Sequence, residues 1–458
     1  MDTIRPVQHS GRAHVAPNLN DLGTLVRSLR QAKHLTLAEL AARCGYSVSA
    51  LSRMERGKQP LRDVMVIRSL AEALDVAPHV LGLADTPQRS VDTPAPGAMV
   101  GATAPAEETD PMRRRTLLVG LTGVAGTAML NTPFPLSAAA SNPVAAVADA
   151  LLNPPALTSP PLPLARLRQQ VAAAHATFDL GRYVEVAARL PNLVSAALTT
   201  RADQPAGQAF ASANRQLAEV YLLASELMVK LCHDQLAWTT ADRALQAAHL
   251  SDDVLTQAAA HRAWAIVLRR TGRADTAQRL VVDTAATLQP ELNRGPEYLS
   301  VYGSLLSTAA YTAAVDGDRG NARALIAEAT EAATRLGRDG NHRHTAFGPT
   351  WVGGYQISIA RVLGDSGTAI ETARRIDPAA IPTAERRARH WANVARAFHQ
   401  WGKPEPCYRA LLAAERAAPD EVRYRQPIQH ITTSLLRDPA AQRLPGLRAF
   451  ATRTGTPV

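Results

Sequence analysis

Aromatic residues are scarce, 4% of a 458-residue chain, and cysteine occurs only at Cys44, Cys232 and Cys407. Three thiols so far apart form neither a disulfide framework nor a zinc-finger spacing, and suit small buried side chains in a reducing compartment. Lysine is rare beside arginine. No nucleophile elbow, paired-histidine protease helix, Walker loop or kinase signature is present, so no catalytic residue, no cofactor and no enzymatic activity is expected. Residues 1–18 lack the apolar core of a signal peptide and read as a disordered arm.

What is abundant is alanine. With hydrophobic residues at 46% and charged ones at 20%, an alanine-rich, aromatic-poor chain favours close-packed helices, and an all-α fold is expected. The length suggests two or three units. A formal charge of +10 and a pI near 9.9 permit nucleic-acid binding, although the excess is spread along the chain.

One stretch, 36–58, has a spacing that implies a specific job. Thr36 and Glu39 form a capping box, so a helix starts at Leu37 and carries Leu37, Leu40, Ala41 and Cys44 on one face. Gly45 ends it by allowing positive φ, and Ser47 can cap a second helix with Leu51 and Met54 inward. Two short helices across a tight turn are the helix-turn-helix arrangement, whose second helix enters the DNA major groove. The pattern Leu40-Ala41, Gly45, Ser47, Leu51-Ser52, Glu55 and Gly57 resembles the Xre family of phage-repressor-like regulators. Leu22, Leu25, Val26 and Leu29 suit a first helix, Val64, Ile67, Leu70, Ala71 and Leu74 a fourth, and Pro78 the start of a fifth. The resemblance implies a five-helix DNA-binding domain over 19–84, with an ion pair between Arg30 and Glu55.

It also implies DNA-facing positions at Ser47, Val48, Ser49, Ser52 and Arg53, with Arg56 and Lys58 nearer the backbone. Arg53 is the best single candidate for reading a base, since arginine grips guanine bidentately. Leu37 departs from the family, which commonly has a phosphate-anchoring glutamine there. Anchoring must then fall to the helix N-terminus, Arg43 or Lys58.

The composition changes over 85–163, which holds 13 of the 31 prolines and reads as a linker. Within it, Arg113-Arg114-Arg115 precedes the apolar run 116–130, too short and glycine-rich to span a bilayer comfortably. From 164 to 440 the pattern is helical throughout, and 441–458 is read as a tail. Glycine-containing turns fall at Gly181, Gly272, Gly317, Gly364 and Gly402, those from Gly272 onward 38 to 47 residues apart. His233-Asp234 marks a further turn. The region resembles tetratricopeptide repeats, with longer spacing than that family's roughly 34 residues. That resemblance implies an α-solenoid whose concave face binds a peptide, a small molecule or a protein.

The segment 339–354 breaks the rhythm and is expected to be a shaped loop. Its wording from Thr345 to Thr350 resembles a segment of actinobacterial regulators that join an Xre domain to helical repeats. His342, His344, Phe347, Thr350 and Trp351 are therefore candidates to line a ligand pocket. No metal site is expected at His342 and His344.

Together these features imply a cytoplasmic, nucleoid-associated transcriptional regulator that binds double-stranded DNA as a homodimer. Its repeats would sense a ligand or dock a partner, and membrane association is not expected. The alternative is an interaction scaffold whose DNA-binding domain is weak or vestigial.

Overall fold

The computed structural model describes residues 22–46, 48–57, 61, 64–83, 144–152 and 160–456, which form two compact units. Every regular element among them is helical. No helix of the described residues is long and apolar enough to cross a membrane. The arm 1–18, the 113–130 segment, Ser47 and Lys58 lie outside the described residues.

The first unit comprises α1 (Leu22–Ala32), α2 (Leu37–Cys44), α3 (Val48–Glu55) and α4 (Val64–Ala73), followed by a 3-10 turn at Pro78–Leu81. The capping box at α2 is formed. Thr36 Oγ1 accepts from the Glu39 amide at 3.2 Å, and the Thr36 amide donates to Glu39 Oε2 at 2.7 Å. Gly45 closes the helix at φ 69°, the left-handed conformation that costs glycine least. Leu40, Ala41 and Cys44 of α2 then meet Ala50, Leu51 and Met54 of α3 and Ile67, Leu70 and Leu74 from the α4 segment in one core. Fully burying each large side chain contributes about 1.5–3 kcal/mol.

The second unit begins inside the stretch expected to be a linker. Helix α5 (Ala145–Leu152) buries Val147 and Leu151 in the same core as Leu167, Leu190 and Leu193. Surrounding proline masks it in a composition window, while its own sequence, AAVADALL, is strongly helix-forming. The chain continues through α6 (Leu164–Asp179), α7 (Tyr183–Asp203), α8 (Gln208–Lys230), α9 (Asp234–His249), α10 (Val254–Arg270), α11 (Ala274–Leu288), α12 (Pro296–Val315) and α13 (Arg319–Leu336). It closes with α14 (Pro349–Val362), α15 (Ser366–Arg374), α16 (Ala384–Gln400), α17 (Pro404–Ala417), α18 (Pro419–Arg423), α19 (Gln426–Arg437) and α20 (Leu447–Arg453). The last of these falls in the supposed tail, yet Leu447 and Phe450 are buried.

Neighbouring helices pack across short turns, chiefly through alanine, which lets helix axes approach closely. Gly272 turns the chain at φ 82°, and the equivalent turn after α8 places Cys232 at φ 60° without glycine. At Gly181 a second constraint applies, because a Cβ there would collide with that of Ala418. The turn after α6 thus rests against the start of α18. Buried ions hold this contact: Tyr183 Oη donates to Glu421 Oε2 at 2.5 Å, and Lys230 bonds both Glu385 and Glu421.

The expected loop 339–354 is half correct. A 3-10 turn at His342–His344 occupies its first part, whereas Pro349 opens α14, which runs through Gly353 and Gly354. Proline pre-sets φ for a first helical turn. Asp339 Oδ1 then accepts from the Thr350 amide at 3.0 Å, capping the helix.

Candidate functional site

Helix α3 is aimed by one buried pair. Arg30 Nε and Nη2 donate to Glu55 Oε1 and Oε2 at 2.6 and 2.8 Å, and Arg30 Nη1 reaches the Leu35 carbonyl at 2.7 Å. The hydrogen bonds to Glu55 push the guanidinium pKa up despite burial. Gly23 lies so close to α3 that a Cβ would strike the Met54 carbonyl. The C-terminal end of α3 is thereby bolted to α1, with little freedom to tilt.

The opposite side of α3 is partly exposed. Val48 is 46% exposed, an unusual position for a large apolar side chain, and suits contact with a thymine methyl. Ser52 and Arg53 are half-buried and Arg56 is exposed, its Nε donating to the Ser52 carbonyl at 2.9 Å. Ser49 lies on the same helix. Arg27, Arg43 and Arg56 are exposed cations of this unit. The N-terminus of α2 is a poor phosphate anchor, because the capping box sets the Glu39 carboxylate there. Hydrogen bonds from the Thr36 backbone and hydroxyl hold that carboxyl below its usual range, hence charged. Exposed arginines such as Arg43 and Arg56 have the chemistry for that anchoring role.

In the second unit, the structure disperses the five loop candidates. Phe347 is fully buried in the core, its ring filling the space that a Cβ on Gly303 would need. Thr350 is engaged by Asp339. Trp351 is buried beneath the Arg386 guanidinium, 5.0 Å from the ring centroid. His342 is half-exposed beside Gly340. His344 alone of the five lines a cleft of about 340 Å³, with Arg168, Arg215, Glu219 and Arg343 among its walls.

That cleft brings in residues the sequence did not single out. The His344 ring lies flat on His175, centroids 3.7 Å apart and planes within 8°. Arg343 Nη2 contacts Asp253 at 2.9 Å, Thr256 at 2.6 Å and Glu219 at 3.2 Å. Asn341 bonds Asp179 at 2.7 Å, and burial pushes that carboxyl up to about 6. No local signal could have found His175 or Glu219. They lie on α6 and α8, and only the tertiary fold sets them beside the loop.

No curated protein and no solved structure matches the chain. Residues 21–82 match the family model described as a helix-turn-helix domain, and the first unit, with its capped α2, tight turn and clamped α3, is a helix-turn-helix DNA-binding domain.

Proposed function

We propose that the protein is a sequence-specific transcriptional regulator of the Xre type. The observation that carries this reading is the asymmetry of α3: its base is locked through Arg30 and Glu55, while Val48, Ser52, Arg53 and Arg56 lie along a face that the core does not bury. Arg53 reads a guanine, Val48 and Ser49 contact neighbouring base edges, and Arg27, Arg43 and Arg56 bind phosphates. Phosphate contacts supply most of the affinity, so binding weakens steeply with salt.

One such domain spans a half-site, so the working form is a homodimer. The second unit acts as a tetratricopeptide-like module that senses a ligand or docks a partner and joins the protomers. Its ligand acts by binding one arrangement of the protomers better than another. The reading places the protein in the cytoplasm, at the nucleoid.

Selection of bound duplexes from a random library by the full-length protein tests this. The expected product is a two-fold motif whose affinity falls with salt and is lost in Arg53→Ala. Recovery of no shared motif, with equal affinity for every duplex, would instead favour an interaction scaffold.

A further inference from the structure

We propose that His175, Glu219 and His344 form a binding site for one divalent transition-metal ion of the zinc class. Each contributes one donor atom, and the three atoms lie within 4.8 Å of one another. Two imidazoles and a carboxylate are the donor set that zinc and its neighbours select over magnesium or calcium.

Two further observations point to a ligand at this place. First, His175 Nε2 and His344 Nδ1 are both buried without a hydrogen-bond partner. A buried polar atom left unmatched costs stability and calls for an occupant. Second, the carboxylate is already aimed: Arg343 holds Glu219 Oε1 at 3.2 Å, leaving Oε2 turned toward His175 Nε2 at 3.8 Å. That is the outer support metal-binding carboxylates commonly have. The loop that carries His344 is tightly bent, with Arg343, His344 and Ala346 all at positive φ, 51°, 58° and 50°. Such backbone persists only where its surroundings enforce it. Here Arg343 is tied to Asp253, and Asn341 Oδ1 accepts the Ala346 amide at 3.0 Å. This backbone sets the His344 ring against His175.

The cleft provides the route in, since His344 and Glu219 line it. Charge alone does not drive binding, because Arg343 and Arg215 offset Glu219 and Asp253. Nitrogen coordination must therefore decide selectivity. Parallel rings also cannot both aim their in-plane lone pairs at one ion. Coordination requires one imidazole, that of His344 on its short loop, to turn out of the stack.

The test uses the full-length protein freed of metal by a chelator and titrated with Co2+ while visible absorption is followed, then with Zn2+ in competition. It needs no DNA, so its failure is separate from that of the regulator reading. One ion per chain is expected, displaced by Zn2+ but not by excess Mg2+. His344→Gln and Glu219→Gln should each weaken binding at least about tenfold while far-UV circular dichroism of the metal-free protein stays unchanged. His175→Gln should do the same; if it unfolds, the loop variant His344→Gln decides. Absence of saturable binding in the wild type, or undiminished binding in folded His344→Gln, would overturn the proposal.

Discussion

Arg30 forks onto Glu55 through two parallel bonds, 2.6 and 2.8 Å, with both residues buried. Removing either partner leaves an uncompensated buried charge, which typically costs about 3–5 kcal/mol. Glu55→Ala should therefore loosen the first unit selectively. Hydrogen exchange on the full chain checks this: amides of α1 to α3 should lose protection while those of α8 and α12 keep theirs. Uniform protection across both units would show that the pair contributes little.

The second unit has a counterpart in Glu421. Burial by itself would raise this carboxyl, but Arg425, Lys230 and Arg389 outweigh it and hold the pKa well below the usual carboxylate range. Its contribution is present above the unfolded value of about 4.5 and is lost as pH falls toward the lower native one. Glu421→Gln should cost about 3 kcal/mol at pH 7, with a smaller penalty at pH 3. Denaturant unfolding of both forms at the two pH values measures it. A penalty that did not shrink in acid would contradict the assignment.

Histidine titration acts at milder pH. His390 is buried, with its Nδ1 unpartnered, and burial lowers its pKa from 6.5 to about 4. Between these values only the unfolded chain takes up the proton, so stability is full above pH 6.5 and declines toward pH 4. The shift corresponds to about 3 kcal/mol across that window. His390→Gln should flatten the pH dependence of the melting temperature between pH 7 and 5; an unchanged slope would place the titration elsewhere.

What could be read from sequence and what could not divide by distance along the chain. The capping box of Thr36 and Glu39, the Gly45 turn and the inward Leu51 and Met54 depend on neighbours within a turn or two, so spacing alone reveals them. The turn at Gly272 before α11 was legible for the same reason, since a glycine between two helical patterns marks it. Helix α5 was not, since proline on both sides hides eight helix-forming residues. Phe347 illustrates a different limit. A loop aromatic beside glycine and proline looks like a pocket wall, but the missing side chain at Gly303 makes room for it in the core. The ionic cluster of Lys230, Glu385 and Glu421, and the meeting of His175 and Glu219 with His344, join helices remote in sequence and leave no local trace.

Whether α3 reads DNA is decided by genome-wide occupancy of the full-length protein beside an Arg53→Ala, Ser49→Ala double variant. Discrete sites sharing a two-fold motif, lost in the variant at equal protein level, are the predicted result. Diffuse occupancy that the substitutions leave unchanged would contradict it.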